Sequence, residues 1–422
     1  MGVLVSLLTN SMQISTQLVI GKQAAQELSD TYLRQKLAKA KSLAHLQRVM
    51  IWADDEPELY HRLVKLCKEH DLETYLWFNV LADTPGYEAC VEDGVLNYTN
   101  RRGNGQLGSW EKLGQGGEEF RFICPNNTIA LDKVFQQFTT LVDHISFDGV
   151  FFDRIRYPSF TNGFESLFTC FCEFCQDKFT RRYGTSLDSY RDKIHELLER
   201  LRELDPDELA QYHRLEGLWE IDELKEFFEF RRTSVYDVVQ RFSQYVHSQG
   251  RQVGLDLFTP SFAPFVSQDY QRLSTCCDWI KPMTYCHVLG PAGVPLEITC
   301  LMRAMSILSP KLNEKHIIRF LSRVLGVTLP ESGEVIRRQG IPEEFIAREL
   351  EKICGLSLPD NVQIYCGVEA VHFPTLGLKI TKEMLALSLK ALQSRADGLV
   401  ASWDLLHIPE ENLEMLGRMK GV

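Results

Sequence analysis

The sequence predicts a (β/α)8 barrel, the TIM-barrel form of the α/β class, and three observations carry that prediction. Apolar runs of strand length alternate with amphipathic segments of helix length along the whole chain, the pattern of parallel β/α architecture. Eight strand candidates can be counted. Polar side chains collect at the carboxyl ends of those strands, the end at which barrels carry their chemistry. With 422 residues, 44% hydrophobic and 24% charged, the chain can form one such barrel with insertions, and residues 1–422 read as a single barrel domain.

The first strand is placed at Val3–Leu8, the second at Gln47–Ala53 and the third at Thr74–Leu81. Pro57 suits the first turn of a helix over Pro57–His70. A long Gly- and Asn-rich loop, Thr84–Pro125, follows strand three and leads to a helix over Leu131–Ile145. The fourth strand, Gly149–Asp153, is an apolar run that closes on a carboxylate and is stopped by Pro158. A charged helical insertion, Thr185–Leu224, separates it from a helix over Phe227–Ser248. Strands five to eight are Val253–Phe258, Trp279–Tyr285, Gln363–Glu369 and Gly398–Asp404. Helices and a loop fill Pro310–Pro359, and a helix covers Lys382–Ser394. The long loops after strands three and four are of the kind that shape or cover a site.

The net charge of -11 argues against a phosphate-backbone partner, so nucleic acid is not expected and a neutral, sugar-like ligand is. The chain start lacks a basic region and a signal-length core, and no stretch approaches a membrane span, which predicts a cytoplasmic protein with no membrane partner. Twelve cysteines, dilute except for one cluster, suit reduced thiols and a metal site better than a disulfide scaffold.

Strand alternation points Trp52 and Asp54, then Tyr75, Trp77 and Asn79, then Asp153, Asp256, Lys281 and Tyr285, then Tyr365 and Glu369, then Ser402 and Asp404 into the barrel or onto its rim. Asp54, Asp55 and Asp83 read as helix caps. Asp256 reads either as a catalytic acid or as a partner of Lys281. Asp153 and Glu369 follow apolar or small residues, where an unpaired charge is costly and is kept mainly for function. Two acids across a barrel mouth are the minimum for glycoside hydrolysis. Arg154 and Arg156 keep Asp153 ionised, as a nucleophile or base requires, and leave Glu369, near Tyr365 and His372, as proton donor. The opposite assignment stays open, as does Asp256 in either role. Trp52, Trp77, Tyr285 and Trp403 are candidate stacking surfaces for sugar rings, and Asn79, Arg156, His287 and Asp404 are candidate polar contacts.

Cys170-Phe-Cys172-Glu-Phe-Cys175 offers three thiolates within a short turn, a spacing that suits tetrahedral zinc, and Cys124 at the end of the third loop is the candidate fourth ligand. Such a site would be structural, pinning the third loop to the fourth. The alternative is a set of packed free thiols.

The segment Asp148-Gly-Val-Phe-Phe-Asp-Arg-Ile-Arg-Tyr-Pro158 resembles the fourth strand of glycosyl-hydrolase-like (β/α)8 families of bacteria. Asp278-Trp-Ile-Lys-Pro-Met-Thr-Tyr285 resembles their sixth strand, and Asp397-Gly-Leu-Val-Ala-Ser-Trp-Asp404 their eighth. That resemblance implies a glycosidase barrel with Asp153 in its active site. The cysteines are separately similar to the zinc cluster of the family-42 β-galactosidases, in whose clan the acid/base and nucleophile are glutamates ending strands four and seven. Glu369 ends strand seven here, but strand four carries Asp153 without the Asn-Glu pair of that clan, which leaves retention or inversion open. The expected function is hydrolysis of a small glycoside or oligosaccharide. The alternative is a non-catalytic carbohydrate-binding or scaffolding barrel. A metal-dependent hydrolase is disfavoured, since no His/Asp constellation stands at the strand ends and an all-cysteine cluster is coordinatively closed.

Overall fold

The computed structural model describes residues 12–102, 104–105, 120–290, 292–374, 377–392 and 396–421. At its centre is a closed barrel of eight parallel strands: β1 (Gln13–Val19), β2 (Arg48–Trp52), β3 (Glu73–Asn79), β4 (Gly149–Asp153), β5 (Gln252–Phe258), β6 (Trp279–Met283), β7 (Gln363–Glu369) and β8 (Gly398–Ser402). Each strand pairs with its neighbours in chain order, and β1 closes the ring against β8, with Gln13 opposite Gly398.

The expected first strand at Val3–Leu8 lies outside the described residues, and the barrel begins instead with Gln13–Val19. This strand has no continuous apolar run, because Gln13, Ser15 and Gln17 alternate with Ile14, Thr16 and Leu18. Period-two alternation is itself a strand signal. Strands β2 to β8 coincide closely with the expected segments. β6 and β8 stop short, at Met283 and Ser402, so Tyr285, Trp403 and Asp404 belong to the following loops. The charged insertion forms helices at Ser189–Glu203 and Pro206–Leu209. Between β6 and β7 lie helices Val294–Leu308, Glu314–Leu325, Gly333–Gln339 and Glu344–Cys354. No helix of the described residues is long and apolar enough to cross a membrane.

Outward residues such as Val49, Ile51, Leu76, Phe78, Val150, Phe152, Leu255, Ile280, Val368 and Leu399 are buried in the layer shared with the surrounding helices. Inward residues divide by height. Towards the amino ends, Met50, Tyr75, Phe151, Trp279, Tyr365 and Val400 form a closed cluster. Phe151 stacks on Trp279 at 5.1 Å, and the Arg48 guanidinium lies 4.4 Å from the Tyr75 ring and 5.1 Å from both Trp279 and Tyr365. The large rings stand where the adjacent strand has glycine: a Cβ on Gly254 would lie 2.2 Å from Trp279, and one on Gly398 2.1 Å from Tyr365. Large side chains filling the space above small ones pack this end solid. That leaves the carboxyl ends to hold the site.

Candidate active site

Above the aromatic cluster the inward side chains become polar. Asp153 ends β4, paired in register with Asn79 of β3. Asp256 of β5 is paired in register with Lys281 of β6. Because Phe152 pairs with Leu255, the next positions, Asp153 and Asp256, stand side by side on adjacent strands. The alternation that sends Phe152 and Leu255 outward sends both acids inward.

Of the three inward acids at this end, Asp153, Asp256 and Glu369, only Asp153 is reached by solvent. Its two oxygens are held as acceptors: the Trp77 indole Nε1–H donates to Oδ2 at 3.1 Å, and the Arg154 backbone N–H donates to Oδ1. Arg154 sits at φ 52°, in the left-handed region, as do Asp54 at 49° and Asp83 at 45°. Strain of this kind concentrates at functional sites. Arg154 forms an ion pair with Asp83.

Asp256 is buried and accepts from Lys281 Nζ at 2.9 Å through Oδ2, the partnership expected from sequence. Burial lifts its carboxyl to about 7, with the Lys281 ammonium opposing and the neighbouring Asp153 adding to the rise. Arg156 is buried between the rings of Phe122 and Phe258, 4.7 and 4.6 Å from their centroids. Burial lowers its guanidinium to about 10, while Glu297, Asp153 and Asp256 hold it up. Glu297, from the first turn of helix Val294–Leu308, is thus a third acid at this locus. It accepts from Ser159 Oγ at 2.7 Å, and burial lifts it to about 7 against the pull of Ser159 and Arg156. Nothing in the sequence near Glu297 marks it, since only the packing of that helix against Phe160–Asn162 brings it in.

Several buried polar atoms facing this space have no protein partner: Gln17 Nε2 and Oε1, Trp52 Nε1, Asn79 Oδ1 and Asp256 Oδ1. Buried polar groups are rarely left unbonded, so unpaired ones gathered at one place mark where water or ligand groups bind. Gln17 was missed because β1 was placed too early, and the Gln13-x-Ser15-x-Gln17 alternation would have revealed it.

Of the other expected site residues, Tyr285 borders this group, its ring centroid 5.3 Å from Lys281 Nζ, and several are taken up by structural contacts. Glu369 is 4% exposed, and its oxygens accept from the backbone N–H groups of Cys286 (2.9 Å), His287 (3.0 Å) and Val288 (2.6 Å). Burial raises its carboxyl, opposed by His287 and those three amides. A carboxylate so occupied anchors the loop after β6, which runs against its expected part as proton donor. His287 faces Gln339 O and Glu343 Oε1, both at 3.2 Å, and His372 lies in an exposed hairpin, His372–Phe373 with Leu378–Lys379. Tyr285 is fully buried with its hydroxyl on Ser402 Oγ at 3.0 Å and its ring 5.0 Å from Trp403, so it supports Trp403 and offers no face to solvent. Asp404 is buried, accepting from the backbone N–H groups of Val19 (3.3 Å) and Leu406 (3.2 Å) and facing His407 Nδ1 at 2.8 Å, a clamp between β1 and its own loop. Asp54 does not cap the helix that follows it, whose N-cap is Glu56; it accepts instead from the Lys22 backbone N–H at 2.8 Å, at the start of helix Lys22–Glu27. Trp52, Trp77 and Trp403 remain half-buried at the rim.

Away from the barrel mouth, Cys124, Cys170, Cys172 and Cys175 are all buried, and their sulfurs lie within 4.8 Å of one another. Cys124 Sγ is 3.4 Å from both Cys172 Sγ and Cys175 Sγ. The backbone N–H of Leu96 points to Cys170 Sγ (3.3 Å), that of Asn126 to Cys124 Sγ (3.4 Å), and Asn126 Nδ2 to Cys175 Sγ (3.2 Å). Tetrahedral zinc–sulfur bonds of about 2.3 Å put sulfurs about 3.8 Å apart, so the cluster has the size and donors of a metal–thiolate site.

No family model matches this sequence, and no curated protein matches it. Among solved structures, the fold is similar to that of the glycoside hydrolase domain of PgaB (BpsB) from Bordetella bronchiseptica, at 15% identity and a TM-score of 0.51 over 94% of this chain and 95% of that one. It is also matched to the GH18 chitinase ChiB of Flavobacterium johnsoniae, at 10% identity and a TM-score of 0.42 over 97% of this chain and 94% of that one. At such identities the likeness is one of architecture: this chain has the (β/α)8 fold on which glycoside hydrolase domains are built.

Proposed function

We propose that this barrel hydrolyses a glycosidic bond in a small glycoside or oligosaccharide, with Asp153 as the reacting carboxylate and Asp256 as the acid paired with it. The observation that carries the reading is Asp153 itself: the one solvent-reached acid of the inward set, with both oxygens held as acceptors beside the indole of Trp77. Donors hold both of its oxygens and Arg156 lies nearby, an arrangement that suits attack at an anomeric carbon or activation of water. Asp256, near 7, holds or yields a proton close to neutral pH. A glycosidase needs one proton given to the leaving oxygen and one taken from water, and an acid so tuned beside a second, solvent-reached carboxyl group provides for both. Trp52, Trp77 and Trp403 would stack on sugar rings, and Asn79 Oδ1, Gln17 and Trp52 Nε1 would bond hydroxyls. Glu369 acts in this reading through the loop it anchors.

The four clustered thiols would hold a structural zinc that ties the third loop to the fourth. It would leave no open coordination position and take no part in the reaction. Twelve cysteines, dilute outside that cluster, suit the reducing cytoplasm.

The test is release of reducing ends from a panel of oligosaccharides by the parent and by D153N, with binding followed in parallel. Turnover by the parent, lost in D153N while binding persists, supports hydrolysis. Binding by the parent with no turnover on any member of the panel favours the carbohydrate-binding barrel instead.

A further inference from the structure

Arg231 is a large buried cation that the proposed reaction does not use. It sits on helix Lys225–Ser248, 0% exposed, with Nη2 donating to the Phe265 carbonyl at 3.3 Å and its guanidinium 4.4 Å from the Tyr157 ring centroid. Its Nε and Nη1 have no hydrogen-bond partner. Glu220, a carboxylate that acts on it, is bonded by Arg232 at 2.8 Å. A buried guanidinium needs an anion, and one left without it is costly.

The surroundings supply a candidate. Ser234, one turn along the same helix face, accepts from Asn126 Nδ2 at 2.9 Å, and the same nitrogen donates to Cys175 Sγ at 3.2 Å. Phe227, on that helix, stacks at 5.5 Å on Phe171, which lies between Cys170 and Cys172. Four neutral thiols offer a guanidinium little. Four thiolates around a divalent ion carry a double negative charge.

We infer that Arg231 is the buried countercharge of a divalent-metal tetrathiolate centre and sets how firmly that centre keeps its metal. It is a positioning residue acting by charge on ligands it does not join, and the inference rests on the zinc reading above. Groups outside the ligand set tune metal centres in this way.

The experiment measures zinc per chain by atomic emission, and zinc release to a chromogenic chelator, for the full-length parent, R231K, R231Q and R231M. The parent and R231K are expected to retain zinc alike, and R231Q and R231M to release it roughly 10–100-fold faster. Chelation should lower the Tm of the parent more than that of R231M, because only the parent then buries an uncompensated charge. Parental release rates in R231Q and R231M would overturn the countercharge role and leave the metal standing. A parent that takes up neither zinc nor cobalt(II) removes the metal reading, and this inference with it. Should R231M not fold, R231K against R231Q carries the same comparison.

Discussion

The two ends of this barrel are built from the same eight strands and obey opposite rules. At the amino end, Tyr75, Trp279 and Tyr365 close over glycines of adjacent strands, and Arg48 is sandwiched among the three rings and paired with Glu73 at 3.0 Å. At the carboxyl end, Gln17, Trp52, Asn79 and Asp256 keep buried polar atoms without protein partners, and two acids held near 7 stand beside a buried arginine. Unpartnered polar atoms occur at both ends, but Ser15 Oγ, Arg48 Nη1 and Trp279 Nε1 are enclosed at the aromatic end, whereas those of the carboxyl end stand among acids that water or a ligand can complete. The barrel can carry the second because the first is so well packed.

The sharpest way to break that division is at Asp153. D153N is expected to lower glycoside turnover by 10²–10⁴-fold, roughly the worth of one acid–base group, with little change in unfolding midpoint. Unchanged turnover with a large loss of stability would make Asp153 a structural acid. Glu369 comes next, as an acid at the functional end that behaves by the rules of the other. E369A strands three backbone N–H groups and is expected to cost about 3 kcal/mol or more in urea unfolding, with faster hydrogen exchange at Cys286–Val288. Should E369Q instead abolish turnover at unaltered stability, Glu369 is the proton donor after all. At the packed end, G254A drives a methyl into Trp279 and is expected to cost about 2 kcal/mol with kcat on the same glycoside retained.

The smallest effect is a pH dependence at Glu297. Its folded-state carboxyl is raised to about 7 from an ordinary 4.5, so the folded protein holds this proton more tightly than the unfolded chain does. The associated stability is present below about 4.5 and is lost as pH rises through about 7. E297Q cannot lose that proton. Relative to the parent, it should gain about 1–3 kcal/mol between pH 4.5 and 8 in denaturant titrations, and a flat difference across that range would separate Glu297 from the buried acids of the site.

Strands β2 to β8 were legible because barrel strands buried on both faces are short apolar runs bounded by turns, and Asp153 stood out as a carboxylate ending one of them. The Asp256–Lys281 pair was legible for a related reason: neighbouring strands in parallel register put opposite charges at one height. The cysteine cluster could be read from C-x-C-x-x-C with one distant partner, and the fold brings all four sulfurs together. The first strand was expected at Val3–Leu8 on apolarity, whereas the first strand of the barrel, Gln13–Val19, is marked by alternation.

The sequence by itself determined the eightfold β/α plan, the end of the barrel that carries polar groups, and the acid that ends β4, since periodicity and composition are local properties. Only the tertiary structure decided that Glu369 serves backbone amides of the loop after β6, that Asp404 clamps β1, and that Glu297 and Arg231 are buried beside groups more than fifty residues away. The role of a charge depends on which donors the fold packs against it, and those donors come from segments that share no local pattern with it.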